Sequence, residues 1–61
     1  PETAEIEFRL AGLHFTLHES RKGQYHLKNA LLLDHEFEFI LEELFPEVFS
    51  RQSVQKLINK H

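Results

Sequence analysis

The sequence contains no cysteine, so no disulfide bond can cross-link the chain, and a structural zinc site would need histidine and carboxylate ligands alone. The absence of cysteine fits the reducing cytoplasm, which is the location that we expect. Glycine is almost as scarce, and Gly12 and Gly23 are too far apart to form a glycine-rich phosphate loop. We therefore expect no bound metal and no cofactor.

Long apolar runs and an excess of positive charge are also missing. The longest apolar run covers residues 30–33, far fewer than the about 20 residues that cross a bilayer as a helix. Seven basic and ten acidic residues give a net charge of −3, which is the wrong sign for a nonspecific coat on nucleic acid. We therefore expect no membrane partner.

The length of 61 residues allows at most one domain, which we place at residues 1–61. A chain of this size buries only about 60% of the surface that is exposed when it is unfolded, so its stability should be marginal. Because no disulfide is available, association with another protein or with a second copy is the remaining route to greater stability.

Apolar and polar residues alternate twice near the N-terminus, which is typical of half-buried strands. Residues 6–10 read Ile-Glu-Phe-Arg-Leu, and residues 13–17 read Leu-His-Phe-Thr-Leu. A turn at residues 11–12 would give the pair one apolar face and one polar face, and a shift of one residue would destroy both. The pattern predicts an antiparallel β-hairpin, closed by a two-residue turn or, with less strain at Ala11, by a four-residue loop.

A third strand and two short helices are predicted from the rest of the chain. Residues 25–28 alternate again, whereas residues 29–33 fit either an extension of that strand or a helix. Asp34 is a favourable N-cap for a helix that Pro46 stops. Ser50 is predicted to cap a last helix, with apolar residues at helical spacing on its inner side.

The predicted fold class is α+β: an antiparallel β-hairpin or three-stranded meander is followed by two short helices (βββαα) in a small two-layer domain. Apolar side chains of the two layers should form one core, which consists of Ile6, Phe8, Leu10, Leu13, Phe15, Leu17, Tyr25, Leu27, Phe37, Ile40, Leu41, Leu44, Phe49, Val54, Leu57 and Ile58. Phe39 and Phe45 fit the helical stripe poorly, which favours an interface over the alternative of a wide core stripe.

Catalysis is not expected from this sequence. A nucleophilic mechanism needs a base beside the nucleophile, and no such pairing is visible around Ser20, Ser50 or Ser53. A domain of this size also has little volume for a pocket. We therefore predict no enzyme activity, no catalytic residue and no small-molecule substrate.

Three histidines share the polar face of the predicted sheet. His14 and His18 would stand about 13 Å apart along a strand, too far to share one metal ion. These two residues and His26 form either an exposed polar face or, together with Glu5 and Glu7, a group that tunes an interface near neutral pH.

Charge is separated along the second half of the chain. Residues 34–47 contain six acidic residues and no lysine or arginine, whereas residues 48–61 contain three basic residues and no acidic one. The two segments either pair with each other or leave an acidic surface for a basic partner. In the second case the partner-binding residues would be Phe39, Phe45, Glu38 and Glu42.

The segment from Phe49 to Ile58 resembles the start of the recognition helix in DNA-binding helix-turn-helix proteins. A serine cap is followed by polar residues and by an inward Val–Leu pair. The resemblance covers about twenty residues, and Leu44, Pro46 and Val48 depart from the pattern of that family. It implies DNA contacts by Arg51, Gln52, Gln55, Lys56 and Lys60.

The sequence therefore predicts a small, non-catalytic, regulatory interaction or oligomerisation module. Its partner would be another protein or a second copy, most simply in a homodimer, bound through the acidic helix or a strand edge. The alternative is a DNA-binding regulator that uses the last helix.

Overall fold

The computed structural model describes residues 2–60, with side chains from Thr3 to Lys60, and all of the regular structure in this range is helical. The elements are α1 (Glu2–Thr16), α2 (Ser20–Asp34), a 3₁₀ turn (His35–Glu38), α3 (Phe39–Leu44), the single turn α4 (Pro46–Phe49) and α5 (Gln52–Lys60).

Helices α1 and α2 form an antiparallel hairpin, and the C-terminal elements cover one side of it. Helices α3 and α4 pack against α1, while α5 packs against α2 and α4. The core lies between the hairpin and this cover. It contains Phe8, Ala11, Phe15, Leu27, Ala30, Leu31, Ile40, Leu41, Val48, Val54 and Ile58.

The predicted α+β fold and its β-hairpin are wrong, because residues 2–60 contain no strand and form an all-α domain. The alternation of apolar and polar residues that suggested strands can also arise in a helix. Residues i and i+2 of an α-helix are separated by a rotation of about 200° around the helix axis, so their side chains point to nearly opposite sides. The apolar residues of segments 6–10 and 13–17 therefore fall alternately on two opposite sides of the helical segment, whereas in a strand they would share one face.

The third strand is also wrong, and residues 29–33 are helical. Both segments belong to α2, which begins at Ser20. Leu27, Ala30 and Leu31 repeat at helical spacing and are buried. The alternation over residues 25–28 was too short to distinguish a strand from one turn of helix.

Several boundaries in the C-terminal half are confirmed. Asp34 caps the 3₁₀ turn by accepting a hydrogen bond of 3.0 Å from the amide of Glu36. Pro46 separates α3 from α4 and occupies the first turn of α4, where its missing N–H costs no hydrogen bond. The cap assigned to Ser50 is wrong, because its hydroxyl donates to the carbonyl of Glu47 and α5 begins at Gln52.

The turn between α1 and α2 is a Schellman motif. The amide of Glu19 donates to the carbonyl of His14 over 2.8 Å, and the amide of His18 donates to the carbonyl of Phe15 over 3.0 Å. His18 occupies the left-handed position with φ of 63°. Glycine is the usual residue there because it has no Cβ to collide with the backbone.

Replacing His18 with glycine should raise the free energy of unfolding by about 1 kcal/mol. A left-handed conformation costs a residue with a Cβ about 1–2 kcal/mol, and the greater freedom of glycine in the unfolded chain offsets part of the gain. Urea unfolding would measure the change. His18→Ala keeps the Cβ and should give no such gain; equal stabilisation by both variants would contradict the prediction.

Gly23 allows α2 to approach α1 closely beside Phe15. A Cβ added at Gly23 would lie 2.8 Å from two carbons of the Phe15 ring. Phe15 is only 3% exposed, so its ring has little space into which it can move. The close approach of the two helices therefore depends on glycine at this position.

Gly23→Ala should lower the free energy of unfolding by about 1 kcal/mol, although alanine favours helix. The gain in helix propensity is about 1 kcal/mol, whereas overpacking a core costs about 1–3 kcal/mol. Urea unfolding would again measure the difference. The loss should shrink when Phe15→Leu is introduced in the same chain, because the smaller side chain relieves the overlap.

Candidate interaction surface

The outward side of α1 carries an apolar stripe, here called the outer stripe, which consists of Ile6, Leu10, Leu13 and Leu17, the last just beyond the end of α1. Ile6, Leu13 and Leu17 are 56%, 46% and 57% exposed, and Leu10 is half-buried. The four residues are spaced by four, three and four positions, which places them on one side of a helix. Helix α1 is thus apolar on two opposite sides.

Only one of these two sides is covered by the other residues that the structure describes. The inner side of α1 contains Ala4, Phe8, Ala11 and Phe15, all buried. The prediction that Ile6, Leu13 and Leu17 belong to the core is wrong because it rested on the predicted β-hairpin, and these residues lie on a helical segment instead. Tyr25 and Leu44 were also predicted in the core and are exposed instead.

Two histidine–glutamate pairs lie at one edge of the outer stripe, where α1 meets α2. His14 Nδ1 lies 2.6 Å from Glu19 Oε1, and His26 Nδ1 lies 2.7 Å from Glu7 Oε1. The rings of His14 and His26 are 5.2 Å apart between centroids and within 5° of parallel. These contacts join α1 to α2 and to the turn between them.

The histidines are therefore grouped differently from the sequence prediction. Glu7 does contact a histidine, but Glu5 forms an ion pair of 3.0 Å with Arg9 on the opposite edge of the outer stripe. His18 lies in the turn and does not join the stacked pair of rings.

Acid should weaken the contact between His14 and Glu19. The hydrogen bond from His14 lowers the pKa of the Glu19 carboxyl below its usual 4.5. A lowered pKa in the folded state stabilises the fold fully above the unfolded-state pKa, and this contribution is lost as the pH falls through the folded-state value. Glu19→Gln should flatten the loss of stability below about pH 4.5, measured by urea unfolding at several pH values.

The matched variant changes His14, which is the donor in the contact with Glu19. His14→Leu removes the hydrogen bond that lowers the Glu19 pKa, so it should flatten the same part of the pH profile. A profile that keeps its slope in both variants would contradict the role of the pair.

The four residues predicted to bind a partner protein occupy different environments. Phe39 is 45% exposed, contacts Phe37 at 5.8 Å between ring centroids, and shares a side of α3 with Glu42. The ring of Phe45 lies where a Cβ on Gly12 would be, so Phe45 packs against α1. Glu38 is half-buried.

Glu38 Oε2 lies 3.3 Å from His35 Nδ1 in a geometry that does not make a hydrogen bond, and the oxygen has no hydrogen-bond partner among the described residues. The acidic surface thus offers Phe39 as its exposed aromatic residue, flanked by Glu42. The strand edge that was considered as a second binding route has no strand in residues 2–60.

Two of the residues predicted to bind nucleic acid make contacts within the chain. Arg51 forms an ion pair of 2.9 Å with Glu47 and donates to the carbonyl of Phe15 over 3.3 Å. The hydrogen bond from Arg51 also lowers the pKa of Glu47. Gln55 Nε2 donates to the carbonyl of Phe49 over 2.6 Å.

The other three residues predicted to bind nucleic acid are exposed on α5. They are Gln52, Lys56 and Lys60, which follow each other at intervals of four residues and therefore share one side of the helix. Neither lysine forms an ion pair with another described residue.

Sequence reasoning did not identify the outer stripe, although a signal for it was present. Its spacing of four, three and four residues is a helical pattern on its own, but Phe8 and Phe15 lie between its members and complete the pattern of a strand. Testing the apolar residues as two separate helical stripes would have found it.

No family model matches the chain, and comparisons with curated proteins and with solved structures find no similar protein. None of the helices in the described range is long and apolar enough to cross a membrane. Between Glu2 and Lys60 there is no pocket and no group of three side chains that could hold a metal ion.

Proposed function

We propose that this chain is a small, non-catalytic, cytoplasmic interaction module that binds another polypeptide through the outer stripe of α1. The observation that carries the proposal is the second apolar side of α1, which extends over three turns and is covered by no other described element. The fold positions this side away from α3, α4 and α5.

The energetic reason is the unused apolar surface. Complete burial of a leucine or isoleucine side chain contributes about 1.5–3 kcal/mol, and about half of that gain is unrealised at Ile6, Leu13 and Leu17. The largest contiguous apolar patch on the surface of a monomeric protein is often functional. A partner that covers the outer stripe would recover this free energy.

The other exposed apolar side chains do not form a comparable surface. Tyr25 and Leu32 share a side of α2, but Lys28 lies between them, and Leu33 points to a different side. None of them belongs to a run of four apolar residues at helical spacing, and single exposed apolar residues are normal on a protein surface. Leu32, at 75% exposure, therefore provides a matched control for substitutions in the outer stripe.

The proposal is tested by retention experiments with three immobilised chains: the wild type, Leu13→Glu and Leu32→Glu. Proteins retained from an extract of the source cells, and any added soluble copy of the chain itself, are quantified by mass spectrometry. We expect at least one polypeptide to be retained by the wild type and by Leu32→Glu and to be lost, by more than about tenfold, with Leu13→Glu.

Circular dichroism must show that both variants remain helical, which we expect because both positions are exposed. If no polypeptide distinguishes Leu13→Glu from Leu32→Glu, the outer stripe is not a binding surface and the proposal is wrong.

DNA binding through α5 is the second candidate, favoured by the exposed side that contains Gln52, Lys56 and Lys60. The ion pair between Arg51 and Glu47 weighs against DNA binding, since the guanidinium of Arg51 would have to leave this pair to contact DNA. Fluorescence anisotropy with short duplex DNA at low salt tests it. Binding that falls with added salt and is abolished by Lys56→Glu and Lys60→Glu would support this function.

A further inference from the structure

We propose that the partner on the outer stripe is the outer stripe of a second copy of this chain, packed antiparallel across a twofold axis. This inference rests on the proposed function and names its partner. It follows from the spacing of the stripe, from the charges beside it and from its size.

The spacing of the stripe is the same in both directions. Intervals of four, three and four residues correspond to alternating d and a positions of a heptad, with Ile6 at d and Leu17 at a. Reversal of the helix gives the same intervals, so an antiparallel copy places Ile6 of one chain against Leu17 of the other. Leu10 then meets Leu13, and each layer joins an a position to a d position. A twofold interface requires this self-complementarity.

The flanking charges favour the antiparallel arrangement. Glu7 and His14 occupy the same edge of the outer stripe, and Arg9 and Thr16 occupy the other. In antiparallel packing, each edge meets the same edge of the second copy, so Glu7 lies near His14, an acid near a base, and Arg9 lies near Thr16. Parallel packing would bring Arg9 of one copy toward His14 of the other, two basic side chains.

The internal contacts of these residues leave one polar atom available on each. His14 uses Nδ1 to contact Glu19, and Glu7 uses Oε1 to contact His26. Nε2 of His14 and Oε2 of Glu7 make no hydrogen bond to another described residue. With His14 protonated, its Nε2–H can therefore donate to Oε2 of Glu7 in the other copy, and neither residue loses a contact within its own chain.

The size of the surface predicts a weak dimer. The chain exposes 4135 Å² in total. A stable interface buries about 800 Å² on each partner, whereas transient ones bury less. One stripe over three helical turns offers less area than a stable interface buries on each partner. We therefore expect a dissociation constant in the micromolar range, on the order of 10–100 μM.

Sedimentation equilibrium of the full chain, from about 5 to 500 μM, tests the inference against this range. We expect the wild type and Leu32→Glu to shift from monomer to dimer with concentration, and Leu13→Glu to remain a monomer throughout. A wild type that is monomeric at all concentrations, or a dimer that persists in Leu13→Glu, would overturn the inference.

Because the chain has no cysteine, introduced cysteines can report the orientation of the two helices. An equimolar mixture of Ile6→Cys and Leu17→Cys should form a mixed disulfide at least tenfold faster than either variant forms a disulfide with itself. In antiparallel packing, two copies of residue 6 lie about 16 Å apart along the axis, beyond disulfide reach. Faster cross-linking within each variant than between them would overturn the antiparallel geometry.

The results separate this inference from the proposed function. A chain that is monomeric in sedimentation but retains a different protein in a Leu13-dependent manner refutes the second copy and supports the interaction module. A chain that is monomeric and retains nothing in that manner refutes both.

Discussion

Replacing Phe8 with alanine should lower the free energy of unfolding by about 3–5 kcal/mol, the usual cost of removing a buried phenylalanine ring. Phe8 has no exposed surface and is among the largest side chains that are fully buried. It lies near the middle of α1, so the cavity would open in the core cluster that joins the hairpin to its C-terminal cover. A site enclosed on all sides can collapse only partly around the missing ring, because helix backbones move little.

The size of the domain makes this loss decisive. At about 0.05–0.15 kcal/mol per residue, a chain of 61 residues has a total stability of about 3–9 kcal/mol. The Phe8→Ala variant should therefore be largely unfolded at room temperature or melt tens of degrees lower than the wild type. Circular dichroism with heat and with urea would measure the change.

Leu32→Ala is the control for Phe8→Ala, since Leu32 is the most exposed of the large apolar residues. It should change the free energy of unfolding by less than about 0.5 kcal/mol. If both variants were equally stable, Phe8 would not be part of the core, and α1 would have a different side turned inward.

Placing a carboxylate at Ala11 should lower the stability by about 3–5 kcal/mol at neutral pH, the cost of a buried charge without a partner. Ala11 is fully buried on the inner side of α1, beside Gly12, whose surface is covered by the ring of Phe45. No lysine or arginine is buried among the described residues, and the half-buried Arg51 is already paired with Glu47, so an aspartate at this position would have no buried cation as a partner. The Ala11→Asp chain should be unfolded at pH 7.

Acid should partly restore the Ala11→Asp variant. Burial raises the pKa of a carboxyl, so the folded state binds a proton more readily than the unfolded state. The destabilisation relative to the wild type should therefore be largest above the folded-state pKa and should shrink as the pH falls toward 4. Urea unfolding between pH 4 and pH 7 measures this trend.

Thr3→Asp is the matched control, because Thr3 is exposed in the first turn of α1, where the helix dipole favours a negative charge. It should leave the stability within about 0.5 kcal/mol of the wild type. A stable Ala11→Asp chain at pH 7 would show that this side of α1 is accessible to water, contrary to the structure.

The α1 segment shows why one half of the fold was predicted incorrectly. Two apolar stripes on opposite sides of a helix produce nearly the same sequence pattern as one apolar face of a strand. The pattern is ambiguous wherever both sides of a helix are apolar, and only the packing partner removes the ambiguity. Here α2 packs against Phe8 and Phe15, which leaves the alternate residues on the outer side.

The C-terminal half was more predictable because its signals are local. A capping side chain at Asp34 and the missing N–H of Pro46 act within a few residues of their own position. The inner side of α5 follows from Val54 and Ile58, which repeat at helical spacing and are buried. These features do not depend on the distant parts of the chain.

The candidate surface could not be predicted from the sequence to the same extent. Phe39 was correctly suspected of being exposed, whereas Phe45 packs on Gly12 over a separation of more than thirty residues. Contacts such as this one, and the contact between His26 and Glu7, join residues that no local pattern relates. The exposed side of a helix is known only when its buried side is known.

The sequence by itself therefore determined the helix limits near Asp34 and Pro46 and the inner side of α5, because short-range hydrogen bonds and helical spacing encode them. The tertiary structure decided that residues 6–17 form a helix rather than a hairpin, which of its two apolar sides is buried, and which histidines meet. The physical reason is that an apolar residue has no preferred partner of its own. Its burial depends on which element the whole fold brings against it.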